Sequence, residues 1–305
     1  MIKQSFRLSI GLLIPFLLIS CSNEDKKVEK ESKVMSQKDS VNSGTKQIEI
    51  HTMLEVAYYG QPQLIQRYLD HGHSIDQEDN NSKATPIYYA IQSNQVETVK
   101  AFISYNADLE HRNTLGQTPL HMAVSLGRSA IVDLLLERGA DINAKDNNEL
   151  TPLIYAIENK HPNIAQKLIE KGASLEADKK YNLTPLHIAI QHKDIKTLTL
   201  LLNQKIDIDH QNIDGYTPLH YAVIANSFKA VELLVNKGVK LDLQDKEGST
   251  PLSVAVSKNQ IKIVKFLLSH GADKTIKDKN GESPLDFAKK SWNQALKKVV
   301  LNEKK

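Results

Sequence analysis

Histidine supplies the most obvious chemistry in this chain: eleven imidazoles, each able in principle to ligate a metal or move a proton near neutral pH. Their placement argues against that use. His121, His187 and His220 each stand three residues after the Thr of a Thr-Pro pair, so they are one position of a repeated unit and not a converging set. His71 and His73 flank Gly72 with Asp70 and Asp76 nearby, the one loose cluster from which a metal site could be built; an ordinary helix end is the simpler reading. No HExxH occurs and no Ser/His/Asp set stands out. Asp108, Asp141, Asp207 and Asp273 recur with the same period, which suits turn chemistry better than acid–base work. The thirteen glycines never fall within nine residues of each other, which excludes GxGxxG, the P-loop and the GxSxG elbow. A single cysteine, Cys21, leaves no internal disulfide and no cysteine-based zinc knuckle. The expectation is a protein without an active site, metal or cofactor.

Cys21 has a different chemistry open to it. Lys3 and Arg7 precede an uncharged run from Leu8 to Ile19, interrupted by Pro15. As a helix that run would span only about 18 Å, short of the roughly 30 Å hydrocarbon core of a bilayer. A charged start and a short apolar stretch read as a secretory signal. Leu18-Ile19-Ser20-Cys21 resembles the lipobox of bacterial lipoproteins. That resemblance implies a signal peptide over 1–20, cleavage before Cys21 and acyl chains on it that hold the protein at a membrane. Residues 21–47 then form the lipidated cysteine and a tether: the polar stretch has no aromatic residue, and only Val28, Val34, Met35 and Val41 are apolar. Its reach as a coil is about 28 Å. The implied location is the bacterial cell envelope. Ser22 rather than Asp follows the cysteine, which favours the outer membrane over the inner.

The rest of the chain is ruled at a fixed interval. Thr85-Pro86, Thr118-Pro119, Thr151-Pro152, Thr184-Pro185, Thr217-Pro218, Thr250-Pro251 and Ser283-Pro284 recur every 33 residues, and an alanine follows each Thr or Ser by five: Ala90, Ala123, Ala156, Ala189, Ala222, Ala255, Ala288. Thr is a good N-cap and Pro is pre-set for the first helical position. From Thr118 the pattern predicts a short helix carrying Leu120 and Ala123 that ends near Gly127. A second helix follows, with Ile131, Val132, Leu134, Leu135 and Leu136 as its apolar set. Gly139 suits the left-handed position that closes it. A pair of helices this small cannot bury its own apolar face, so the units must stack. Residues 51–72 read as a divergent first unit; Gly60 and Asn94 are 34 apart, so one extra residue sits before Thr85. The last unit carries Lys289, Lys290, Lys297, Lys298, Lys304 and Lys305 around Leu296, Val299 and Val300, the polar outer face a terminal repeat needs. Contact of this basic patch with anionic lipid or peptidoglycan is the less favoured reading.

Thr-Pro-Leu-His at 118–121, 184–187 and 217–220, with Gly139-Ala140-Asp141 and Gly271-Ala272-Asp273, closely resembles the ankyrin repeat. The resemblance covers about 48–305 and implies an all-α repeat solenoid of turn, helix, helix units, about eight including caps. It also implies that His121, His187 and His220 hydrogen-bond neighbouring loops. Lys205 departs from the closing Gly, and Lys83, Glu149 and Asn182 depart from the turn Gly, while Asn94, Asn226 and Asn259 can still adopt a left-handed backbone. The activity implied is protein binding by a non-enzymatic, monomeric scaffold. Immunity proteins that neutralise a toxin, and partners of stress enzymes, are periplasmic examples of that class. Lys+Arg exceed Asp+Glu by too little for nucleic-acid binding, the formal charge being +3.

Positions four, three and one before each Thr, and seven and eight after it, are not needed for stacking. In the middle units they are apolar or aromatic: Leu115, Leu126, Leu150, Tyr181, Leu183, Ile213, Tyr216 and Ile224, with His192 among them. The unit from Thr250 has Lys246, Glu247, Ser249, Ser257 and Lys258 there instead. Either the apolar set packs on neighbouring hairpins, or it is the patch that binds the partner. For the amino-terminal reading the expected outcome is direct: mass spectrometry of membrane-fraction protein finds acylated Cys21 and nothing upstream, whereas a soluble form retaining Met1 refutes it.

Overall fold

The chain is described by a computed structural model over residues 52–178 and 180–301. The readings of Cys21, of the signal peptide over 1–20 and of the tether to residue 47 lie outside the described residues.

Sixteen α-helices occur among the described residues, in eight pairs and with no strand. The first helices of the pairs are α1 (Met53–Tyr59), α3 (Pro86–Gln92), α5 (Pro119–Ser125), α7 (Pro152–Glu158), α9 (Pro185–Gln191), α11 (Pro218–Ile224), α13 (Pro251–Ser257) and α15 (Pro284–Lys290). The second helices are α2 (Ile65–Asp70), α4 (Val96–Ser104), α6 (Ser129–Glu137), α8 (Pro162–Glu170), α10 (Ile195–Leu201), α12 (Phe228–Asn236), α14 (Ile261–Ser269) and α16 (Gln294–Leu301). Each first helix packs against the first helices on either side of it and against its own second helix, which is the stacking of a repeat solenoid.

The period dictates which face is buried. Two, five and six residues after Thr118 come Leu120, Ala123 and Val124, all fully buried, and the equivalent Leu219, Ala222 and Val223 are too. The second helices contribute triplets such as Ile131, Val132 and Leu135, or Ile263, Val264 and Leu267. All seven ruler alanines have 0% exposure. Each lies where one first helix meets the next, so nothing larger than a methyl fits there without forcing the helices apart.

The capping chemistry is uneven. Thr118, Thr217, Thr250 and Ser283 accept a hydrogen bond from the amide three residues on. Thr85 and Thr151 make no such bond; Tyr88 and Ile154 stand where other units have His, Ser or Asp. The ruler also extends one unit further than Thr-Pro shows, since Thr52, 33 residues before Thr85, caps α1 in a reciprocal box with Glu55. The extra residue between Gly60 and Asn94 lies in the hairpin tip from Asp79 to Ala84. The closing residues behave as expected at Asn94, Asn226 and Asn259, with φ of 56°, 51° and 56°. Lys83, Glu149 and Asn182 keep the left-handed backbone of the glycines they replace, at φ of 56°, 65° and 55°. Lys205 does not: α10 ends at Leu201 with a right-handed Leu202, so that helix is seven residues long and not nine.

Among the described residues no helix is long and apolar enough to cross a membrane. Ala189→Leu should overpack the α9 interface and cost about 1–3 kcal/mol of stability. Chemical denaturation measures this; an unchanged midpoint would show that the alanine does not set the helix spacing.

Candidate protein-binding face

Seven hairpin tips join the units, and in each a carboxylate or amide oxygen organises the turn. Asn113 Oδ1 accepts from Leu115 N–H and Gln117 N–H at 2.9 and 3.0 Å. Asp146, Asn212, Asp245 and Asp278 repeat those two bonds. Asp79 and Asp178 serve tips one residue longer, with the second carboxylate oxygen reaching Ala84 N–H and Leu183 N–H. The tips are then tied to each other through main chain. Asn147 N–H donates to Leu115 O at 3.1 Å and Ile213 N–H donates to Tyr181 O at 3.1 Å. Asp108, Asp141, Asp207 and Asp273, the aspartates that recur at the repeat ends, each accept from an amide two residues on, at 2.7–3.0 Å. They are turn residues, as the period implied.

The three recurring histidines lock each first helix to the tip beyond it. Nδ1 of His121, His187 and His220 accepts from the backbone N–H of the capping Thr at 3.2 Å in every case. That fixes the proton on Nε2, which donates to Leu150 O, Tyr216 O and Ser249 O at 3.0, 3.2 and 3.0 Å. Both ring nitrogens are satisfied by the neutral form, and a second proton on Nδ1 would meet the Thr N–H head-on. Burial keeps all three imidazoles uncharged, pulling His187 down to about 3 and His220 down to about 4. Tyr88 takes the same place in the unit from Thr85, its hydroxyl lying 2.6 Å from Gln117 O. Away from this column, His71 Nδ1 bonds Arg67 O of its own helix and the His73 ring packs on Tyr68 at 5.2 Å. Among the described residues no three His, Cys, Asp or Glu side chains are grouped to hold a metal.

On this frame the apolar candidates separate. Leu115 and Ile213, at the tips, are 39% and 42% exposed. Leu126, Leu150, Tyr181, Leu183, His192, Tyr216 and Ile224 are half-buried. Tyr216 meets His220 and Tyr221 edge-on at 5.6 and 6.3 Å, so much of its ring is spent on packing. Tyr181 carries Lys180 Nζ over its ring at 5.1 Å. The main-chain bond between Tyr181 and Ile213 puts these two on adjacent tips, while Leu115 and Leu150 lie on another tied pair.

Sequence reasoning passed over several residues of the same face. Tyr155 donates to Asp146 Oδ2 at 2.8 Å and accepts from Gln117 Nε2 at 2.7 Å, bridging two tips. Tyr221 accepts from Asn212 Nδ2 at the equivalent place. Glu158 follows Thr151 by seven, so its position belonged to the variable set even though its charge excluded it from an apolar list. It is half-buried, and burial, followed by the nearby Asp146, pushes its carboxyl up to about 7.

The model of the family described as ankyrin repeats matches in three copies, over residues 53–146, 145–212 and 194–278. No curated protein matches the chain. Among solved structures the chain is similar to the ankyrin repeat domain of Bcl-3, described as a unique member of the IkappaB protein family. The TM-score is 0.66 at 29% identity, covering 73% of this chain and all of that one.

The buried imidazoles have a consequence for acid stability. In the unfolded chain His187 and His220 take up protons below about pH 6.5, whereas in the fold they stay neutral down to about 3 and 4 respectively. The unfolded state therefore binds more protons in that window, and stability falls as pH drops through it. Glu158 acts oppositely, its raised carboxyl favouring the fold as pH falls from about 7 toward 4.5. Subtracting the denaturation curve of His187→Gln/His220→Gln from that of the wild type isolates the histidines. The difference should approach about 1.4 kcal/mol per pH unit for each imidazole. Parallel curves would mean that the rings are not held neutral.

Proposed function

Because the chain belongs to the ankyrin-repeat family, we propose that it is a non-enzymatic scaffold, held at a bacterial membrane by acyl chains on Cys21, that binds a protein partner across its hairpin tips and first helices. One observation carries the choice of face. Leu115 and Ile213 stand exposed on tips whose main chain is already committed to neighbouring tips, so their side chains have no stacking duty to explain them. Each belongs to a tied pair of tips, Leu115 with Leu150 and Ile213 with Tyr181, and exposed apolar groups on rigid turns are the composition of an interaction patch. Tyr181 beside Ile213 adds an aromatic of the type enriched among binding hot spots. The lipobox-like Leu18-Ile19-Ser20-Cys21 supports the anchoring part of the reading: acyl chains on Cys21 would set where partner and scaffold meet, with the outer membrane favoured and the array on a tether.

Tyr181→Ala and Ile213→Ala should each weaken capture of an envelope partner by at least about 1 kcal/mol, the ordinary threshold for a contact that matters. Their denaturation midpoints should stay within about 0.5 kcal/mol of wild type, as for surface sites generally. Tyr216→Ala differs, losing stability as well because its ring packs on His220 and Tyr221. If Tyr181→Ala and Ile213→Ala lose stability and bind as wild type does, the tips are packing surfaces and the partner sits elsewhere.

A further inference from the structure

The last pair of helices closes differently from those before it. Nine residues after the capping Thr, the earlier units place Asn94, Gly127, Lys160, Lys193, Asn226 or Asn259 in the left-handed region. Nine after Ser283 stands Trp292. A bulky aromatic pays steeply for a left-handed backbone. Here α15 instead ends on an extended Ser291, with φ −65° and ψ 142°. The chain leaves the helix outward, and the indole of Trp292 stands 86% exposed. Among the described residues the other large apolar side chains that stand exposed reach at most 42%.

The chain on either side of Trp292 is rich in lysine, with Glu282 and Asp286 before it. From Phe287 to Leu301 the chain carries Lys289, Lys290, Lys297 and Lys298 and no Asp or Glu. Lys289 and Lys290 reach back to Asp286 and Glu282, while among the described residues Lys297 and Lys298 form no ion pair. Nothing described packs beyond α16, so residues buried in other units are uncovered here: Leu285 is half-buried where Leu219 and Leu252 are fully buried.

From this juxtaposition we infer that the carboxy-terminal repeat is a peripheral membrane contact, seating Trp292 in the interfacial region of an anionic bilayer with Lys297 and Lys298 against its headgroups. An indole has an apolar body and a single N–H donor, which suits the wet edge of a bilayer. A protruding ring needs no preformed groove there, whereas a protein partner would have to supply one. A second copy of this chain is disfavoured, because stacking two such ends would set lysine against lysine. Each lysine near an anionic surface adds attraction that salt removes. The inference does not rest on the tip face or on acylation of Cys21.

Trp292 is the chain's single tryptophan, so its emission reports this site whatever else touches lipid. The full chain bearing Cys21→Ser is titrated with phosphatidylcholine vesicles containing phosphatidylglycerol and with phosphatidylcholine alone. The expected result is a blue shift and shielding from acrylamide on the anionic vesicles only, reversed by salt. Lys297→Gln/Lys298→Gln should need about 30-fold more anionic lipid for the same shift, while far-UV dichroism keeps its denaturation midpoint. Should that variant fail to fold, the salt reversal in the unsubstituted chain decides. Unchanged emission on vesicles that do sediment the chain overturns the inference. So does an equal shift on neutral vesicles, or one that ignores salt. A shift produced by polyglutamate but by neither vesicle assigns the surface to an acidic protein, and one that grows with protein concentration alone assigns it to a second copy.

Discussion

The distance between neighbouring first helices is set at seven alanines, and most of the molecule follows from that spacing. Each methyl is fully buried between helices that approach too closely for a larger side chain. A helix of seven residues has almost no stability of its own, and its partner helix of six to nine residues little more. What makes them persist is the apolar triplet each unit shares with its neighbours, so burial is a property of adjacent pairs and not of any unit.

Close stacking brings the hairpin tips within hydrogen-bonding distance, and the polar groups there are resolved by a repeated device. An Asp or Asn gathers the amides of its own turn, a neutral histidine reaches forward to the carbonyl before the next Thr, and main-chain bonds tie tip to tip. Buried polar groups without partners would cost about 1–3 kcal/mol each, so the column of satisfied imidazoles is part of the stacking and not an ornament on it. It also gives the recurring histidines and aspartates of the repeat a structural use. Their donors and acceptors are directed at backbone.

A frame held by main chain and by periodic residues leaves the remaining tip side chains unconstrained. That is why apolar groups can stand exposed at Leu115 and Ile213 without weakening the array, and why a carboxyl as poorly solvated as that of Glu158 can be carried on the same face. The first and last described units obey a weaker rule, since among the described residues each packs on one neighbour. The first unit dispenses with Pro and uses the Thr52–Glu55 box, and the last turns an indole outward.

The period was fully legible in the sequence, because Thr-Pro and the alanine answer to local capping and to a contact repeated identically in every unit. The left-handed closings at Asn94, Asn226 and Asn259 were legible for the same local reason, as was the turn role of Asp108, Asp141, Asp207 and Asp273. Lys160 and Lys193 were not: lysine has no preference for φ of 56°, and it is the 33-residue register imposed by stacking that holds it there. Lys205 shows the limit from the other side, for there the helix gives way and ends two residues early. Spacing gave the list of tip residues, but exposure depends on neighbours a unit away. Only the tertiary structure separated Leu115 and Ile213 from the half-buried Tyr216, whose ring meets side chains of the next helix. The same is true of Trp292, whose exposure follows from an extended Ser291 in the last described unit.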